Sequence, residues 1–150
     1  MSIILFIVTA NDCNPCIVFK DNSLNKLKEL ISKENNIEII HKNIESRSRP
    51  EINDNIHPNL KHGVPMYPFI SIFKRNDFYN YSKELSGYLM QGNFINGKYI
   101  KIDNTKFNMD PNNIINWIKN TYNYNNNNNN KKYRFFSKNQ MELDDMYDIL

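Results

Sequence analysis

The only two cysteines of the chain, Cys13 and Cys16, are two residues apart and directly follow an apolar run at residues 3–8. The run favours a buried strand, and the residues after the cysteines have a helical pattern. Cys13 is therefore expected at the exposed end of the pair, at a helix N-terminus, where the helix dipole and free N–H groups stabilise a thiolate. Cys16, one turn further on, is placed to act as the resolving thiol. Pro15 suits the first turn, where the N–H that proline lacks has no helical partner.

Cysteines at this spacing also form half of many zinc sites. Cys13 and Cys16 could combine with His57 and His62 into a tetrahedral set, although the gap of roughly 40 residues is far longer than in a zinc finger. His41 is a candidate proton shuttle, or simply a strand residue. We expect redox chemistry at the cysteine pair, with no metal and no cofactor beyond a redox-active disulfide.

Composition and charge exclude several classes of protein. The 150 residues are enough for about one domain. The net charge of +3 comes from basic and acidic residues that are interspersed, so no basic face for nucleic acid is expected. One local cysteine pair cannot staple distant segments, which argues against a secreted disulfide scaffold.

The apolar segments indicate a cytoplasmic protein without a membrane span. No run approaches the roughly 18 residues that a span requires, and the apolar N-terminus lacks the positive region of a signal peptide. Asparagine occupies 28 positions, which is typical of AT-rich genomes such as those of protists and large cytoplasmic DNA viruses. In the viral case the expected location is the host cytoplasm or the virion.

The apolar spacing predicts a βαβ unit in the first third of the chain. An amphipathic helix is expected over residues 15–33, followed by a strand at 37–44. A third strand at 69–74 is nearly all apolar, which predicts burial on both faces. The residues predicted to form the buried stripe of the helix are Ile17, Phe19, Leu24, Leu27, Leu30 and Ile31.

Turn and helix-cap residues predict the secondary structure of the second half of the chain. Asn96 and Gly97 lie between two β-prone runs and predict a hairpin, and Asp110 with Pro111 predicts a helix start. We expect the domain to cover residues 1–122. Residues 123–150, which contain an asparagine tract, are expected to form a linker and a tail that is disordered or docks on a partner.

Two motifs resemble the thioredoxin superfamily over roughly residues 3–122. Cys13-Asn14-Pro15-Cys16 looks like the family's active site, including the proline before the second cysteine. The resemblance implies that Asn14 and Pro15 support the two catalytic cysteines.

Tyr67 and Pro68, followed by the apolar strand at 69–74, look like the family's second signature. In the family this is a cis-proline that opens a buried strand beside the cysteines, and the residue before it offers its backbone to substrate. The resemblance thus implies that Pro68 supports the site and that Tyr67 binds substrate. Apart from the resemblance, Tyr67 and Met66 could line a substrate groove or pack in the core.

The implied fold is α/β, with three α/β/α layers and a minimal β-α-β then β-β-α core, close in plan to glutaredoxins. Residues 76–103 are longer than the usual hairpin and are expected to hold an inserted one. The implied function is thiol-disulfide exchange with protein thiols and disulfides, supported by an upstream reductase or a sulfhydryl oxidase. The open alternatives are a redox-inactive interaction module on the same fold and a small zinc-binding protein.

Asp12 departs from the family, which usually has Trp before the first cysteine. A carboxylate beside the thiol opposes the helix dipole, so Cys13 is expected to be less acidic than its position alone would give. This predicts a couple that is biased toward reduction of its clients. The buried acid that the family carries on the preceding strand is replaced here by Ile7.

Overall fold

Six strands form one mixed sheet in the computed structural model, in the order β2-β1-β3-β4-β5-β6. The structure describes residues 1–49, 56–60, 63–90, 92–101 and 108–127. The strands are β1 (Ile3–Ala10), β2 (Ile37–Ile44), β3 (Phe69–Lys74), β4 (Gly87–Leu89), β5 (Gly92–Ile95) and β6 (Lys98–Lys101). β1 is parallel to β2, and all other neighbouring strands are antiparallel.

The helical segment between β1 and β2 confirms the predicted βαβ unit but differs in detail. It consists of α1 (Asn14–Phe19), a π-helical turn (Lys20–Leu24) and α2 (Asn25–Ile31). The buried residues Phe19 and Leu24 are five positions apart, a step that an α-helix would turn to different faces. The wider i→i+5 turn brings both to one face.

Ile17, which was predicted to be part of the buried stripe, is 40% exposed. It lies on α1, two residues before Phe19, and two residues along an α-helix point to different sides. Because Phe19 is buried, at 1% exposure, Ile17 faces outward. The prediction for Ile17 was wrong because it placed two α1 residues that are only two positions apart on one buried face.

β3 is buried over Phe69–Phe73, as its continuous apolarity predicted. A short helix, α3 (Arg75–Phe78), follows it, and the next strand is β4. A Cβ atom on Gly87 would overlap the Ile72 carbonyl oxygen and the Phe73 ring. Only glycine therefore lets β4 approach β3 this closely.

The hairpin predicted from Asn96 and Gly97 is confirmed. These residues connect β5 to β6 with φ values of 51° and 76°, and two positive φ values are what the tight type I′ turn requires. The hairpin expected within residues 76–103 thus adds two strands to the sheet.

The predicted helix start at Pro111 is also confirmed. α4 (Pro111–Asn127) begins there, and the Asp110 Oδ2 atom accepts the N–H of Asn112 over 3.2 Å. α4 continues into the asparagine tract, and residues 128–150 lie outside the described residues.

Contacts divide the chain into two compact units, 1–115 and 116–150. The domain boundary expected at residue 122 remains a prediction. Within the described ranges, no helix combines the length and apolar character that crossing a bilayer takes.

A buried cluster on one face of the sheet contains both cysteines. β1 contributes its alternate residues Ile4, Phe6, Val8 and Ala10 to this cluster, as the two-residue period of a strand requires. The other members are Cys13, Cys16, Ile44, Ile56, Leu60, Phe69, Phe73, Phe78, Leu85 and Leu89. The cysteine pair is therefore a part of the hydrophobic core.

Candidate active site

The end of β1 places Cys13 at the start of α1, after a turn formed by Asn11 and Asp12. Cys13 is the N-cap residue of α1, and its Sγ atom accepts the backbone N–H of Cys16 over 3.2 Å. Its carbonyl oxygen accepts the N–H of Ile17 over 3.1 Å. The predicted placement of Cys13 at a helix N-terminus is confirmed, and one N–H there already points at the sulfur.

Cys13 and Cys16 are joined by a disulfide with their Cα atoms 5.2 Å apart. Asn14 and Pro15, which lie between them, are exposed. The bridge therefore closes within the first turn of α1, and the two intervening residues form the outer surface of that turn.

Both cysteines are buried, with exposed fractions of 1% for Cys13 and 0% for Cys16. The sequence placed Cys13 at the exposed end of the pair, and that expectation was wrong for the disulfide form. Val8, Ala10 and Phe69 belong to the same buried cluster as the two cysteines. Access to the sulfurs is consequently restricted.

The segment before β3 lies at the same end of the sheet. Val8 on β1 pairs with Phe69 on β3. Pro68, the residue before Phe69, therefore lies beside the C-terminal end of β1, which continues to Cys13. The Tyr67–Pro68 peptide bond is cis, as predicted, and Pro68 is buried. Tyr67 packs against the cluster that holds both cysteines, and so does Met66.

Asp12 is held by the loop that follows β2. Its Oδ2 atom accepts the Ser46 hydroxyl over 2.9 Å, and its two carboxylate oxygens accept the backbone N–H of Arg47 over 3.0 and 3.1 Å. The Arg47 Nε atom lies 3.4 Å from Oδ1. The backbone N–H of Arg47 contributes most to lowering the pKa of the Asp12 carboxyl, and the Ser46 hydroxyl and the Arg47 charge add to it.

Asp12 was expected to act as a negative charge beside Cys13, and in the structure it is one half of an ion pair with Arg47. The same two charges act on Tyr67. Burial is the largest cause that raises the pKa of Tyr67, the Asp12 charge adds to the rise, and the Arg47 charge opposes it. Tyr67 therefore remains a neutral phenol near pH 7.

A second set of hydrogen bonds holds the Asn11 side chain in place. The buried Thr9 hydroxyl donates to Asn43 Oδ1 over 2.6 Å, so it must accept from His41 Nε2, which lies 2.8 Å away. Lys20 Nζ also donates to Asn43 Oδ1, over 2.8 Å, and Asn43 Nδ2 donates to Asn11 Oδ1 over 2.9 Å. This network joins β1, β2 and the π-helical turn to the residues before Cys13.

The proton-shuttle role considered for His41 has no support in these contacts. Its partner Thr9 alternates with Val8 and Ala10, the residues of β1 that pack with the cysteines. Thr9 therefore points to the other face of β1. His41 lies with Thr9 and away from the side of β1 that contacts the disulfide.

His57 is a core residue whose ring nitrogens are both used. Its Nδ1 atom accepts the N–H of Asn59 over 3.1 Å, so Nε2 carries the proton that is donated to the Phe78 carbonyl oxygen over 2.7 Å. His62, the other histidine of the zinc hypothesis, lies outside the described residues. Among the residues that the structure describes, no three His, Cys, Asp or Glu side chains gather as a metal site.

We expect stability to fall as the pH drops from about 7.5 to 5, because burial lowers the pKa of His57 and of His41. The unfolded chain takes up protons near pH 6.5, while the folded chain takes them up only at lower pH. Each unit of pKa depression is equivalent to about 1.4 kcal/mol of unfolding free energy. Urea unfolding across this pH range measures the effect. His57→Gln should flatten the profile, and a mutant with the parent's slope would contradict the assignment.

Arg47, Ser46 and Asn43 were missed by sequence reasoning. The signal was available only through the strand register: Ala10 pairs with Ile44 in the parallel β1/β2 ladder. Residues that follow the two strand ends therefore lie side by side. Without that register, nothing in the sequence connects Arg47 to a residue 35 positions earlier.

Comparisons with models of known protein families, with curated proteins and with solved structures find no match to this chain. The function must therefore be argued from the cysteine pair and the side chains around it.

Proposed function

We propose that this protein is a thiol-disulfide oxidoreductase that exchanges disulfides with protein clients through Cys13 and Cys16. The observation that carries the proposal is the disulfide across the first turn of α1, with the Cys13 sulfur accepting the N–H of Cys16. In the reduced form the same N–H and the helix dipole favour a thiolate at Cys13. The reactive group and its resolving partner are then three residues apart.

The reaction proceeds in two exchange steps. The Cys13 thiolate attacks one sulfur of a client disulfide, the client S–S bond breaks, and the departing client thiolate takes up a proton. Cys16 then loses its proton and attacks Cys13 in the mixed disulfide, which releases the second client thiol. The client has gained two electrons and two protons, and Cys13–Cys16 is oxidised. An upstream dithiol reductase restores the pair, whereas a sulfhydryl oxidase would run the cycle in reverse.

The wider proposal is a thioredoxin-like fold in which Pro68 supports the site and Tyr67 and Met66 bind client. The parallel β1/β2 pair with its intervening helix and the antiparallel β3 and β4 agree with the order of elements in that family. The same proposal includes the three α/β/α layers of that fold. It also includes a disulfide relay in the cytoplasm, which would be that of a host cell, or in the virion, if the chain is viral. Clients are protein thiols and disulfides.

The experiment is a redox titration of the full chain against glutathione buffers, with alkylation and mass measurement of the free thiols. We expect full and reversible conversion between dithiol and disulfide. Reduction of a model protein disulfide by dithiothreitol should then be faster with the protein than without it. A pair that cycles yet leaves this rate unchanged would contradict the enzyme assignment.

The burial of both cysteines favours a second candidate, a redox-inactive interaction module. A disulfide at 1% and 0% exposure could serve as a structural staple of the α1 N-terminus. In that case the bond would resist glutathione in the folded protein and become reducible only in denaturant. The same titration, done with and without urea, separates the two functions.

A further inference from the structure

Arg47 contacts both the side chain and the backbone of the residue before Cys13. In addition to the Nε–Oδ1 approach, its Nη2 atom donates to the carbonyl oxygen of Asp12 over 2.6 Å. That carbonyl belongs to the peptide unit that also contains the Cys13 nitrogen. The guanidinium group therefore lies directly beside the backbone of the proposed nucleophile.

The groups that hydrogen-bond to the Asp12 carboxylate and fix its position differ from the guanidinium group that neutralises its charge. Its position is fixed by the backbone N–H of Arg47 and by the Ser46 hydroxyl. Neither group depends on the arginine side chain. Removal of the guanidinium should therefore leave the carboxylate in place and unbalanced, close to Cys13.

Lys20 is a further charged group, held near the residues before Cys13 by its bond to Asn43. The first turn of α1 contains no acidic residue, and Tyr67, before β3, is neutral near pH 7 because burial raises its pKa. Asp12 and Arg47 are thus the ion pair that borders the backbone of Cys13. Their side chains are 40% and 49% exposed, so solvent screens them in part.

We infer that Arg47 is a positioning residue for Cys13: by pairing with Asp12 it cancels the carboxylate's penalty on the thiolate. This inference rests on the proposed function. The sequence shows a chain with an unfavourable charge before its nucleophile, whereas the folded protein supplies the opposite charge from the end of the neighbouring strand. The helix N-terminus can then stabilise the thiolate without opposition from Asp12.

The test measures the pKa of the Cys13 thiol in the full chain carrying Cys16→Ser, by thiolate absorbance and by the pH dependence of iodoacetamide alkylation. With Arg47→Gln we expect a higher pKa and alkylation at pH 7 that is about two- to threefold slower, the size of a partly screened charge effect. Asp12→Asn should lower the pKa. Arg47→Lys, which keeps the positive charge, should stay close to the parent.

The matched control is Arg49→Gln, which removes the same charge two residues further along. Arg49 lies 3.6 Å from Glu45, so we expect a smaller change in the Cys13 pKa than with Arg47→Gln. The double variant Asp12→Asn/Arg47→Gln should return the pKa to the parent value. Equal shifts from Arg47→Gln and Arg49→Gln, or a double variant that stays shifted, would overturn the inference.

The outcome is distinguishable from failure of the proposed function. The thiol pKa is measured without any client or turnover, and Arg47→Lys separates charge from general structural damage. If the parent fails to reduce a model disulfide while the Asp12 and Arg47 variants shift the Cys13 pKa as expected, the enzyme assignment is wrong and the role of Arg47 stands. If the parent is active and these variants leave the Cys13 pKa unchanged, only the role of Arg47 is wrong.

Discussion

We expect Cys13→Ser to abolish reduction of a model protein disulfide, with a loss of about a thousandfold or more in rate. Cys13 is the residue whose sulfur receives a helix N-terminal N–H, and serine at this position is a far weaker nucleophile at neutral pH. Without a first covalent step, Cys16 has no mixed disulfide to resolve. Turnover with dithiothreitol as the electron source measures the loss.

Cys16→Ser is the matched variant and should behave differently. It retains the Cys13 thiol but cannot complete the second exchange, so mixed disulfides with the client should accumulate through Cys13. Non-reducing electrophoresis and mass measurement of the trapped peptide identify the bond. Trapping of similar extent by both variants, or by neither, would show that the order of attack assigned to the two cysteines is wrong.

The second large effect concerns Phe6, which occupies the middle of the buried cluster. Phe6 is 0% exposed, and its ring centroid lies 5.0 Å from that of Phe78, 6.1 Å from Phe69 and 6.5 Å from Phe73. Phe6→Ala removes one side of all three contacts, with an expected cost of about 3–5 kcal/mol in unfolding free energy. Urea unfolding with the disulfide intact measures this value.

Ile100→Ala provides the control because Ile100 is 47% exposed. Its expected cost is about 1 kcal/mol or less. If Phe6→Ala does not fold, Phe6→Leu keeps the test available at about 1–2 kcal/mol, because it preserves most of the volume. Equal costs at Phe6 and Ile100 would mean that the aromatic cluster is not the centre of the core.

Several of the predictions that the structure confirms depend on residues that are close to one another in the sequence. Cys13 as the N-cap of α1, the Asn96 and Gly97 turn, and Asp110 before Pro111 each depend on residues within a few positions of one another. Backbone sterics and capping chemistry act at that range, so they can be predicted without knowledge of the fold.

The features that were mispredicted or missed depend mostly on long-range contacts, whereas the cis Tyr67–Pro68 bond was predicted from the family resemblance. The environment of Asp12 depends on a partner 35 residues away, which becomes visible only when the β1/β2 register is known. The burial of Cys13 depends on Phe69 in β3, which is likewise distant in sequence. The π-helical turn is an intermediate case: the five-residue step from Phe19 to Leu24 was present in the sequence but was interpreted with an α-helical period.

The hairpin of β5 and β6 determines which strand forms one outer edge of the sheet. Without it, β4 would be the outer strand, and its free N–H and C=O groups would be open to pairing with another chain. β6 takes that place as a strand of four residues with a lysine at each end, Lys98 and Lys101. Short, positively charged border strands are poor templates for intermolecular β-pairing. The β5–β6 hairpin therefore makes edge-to-edge pairing at this border of the sheet less favourable.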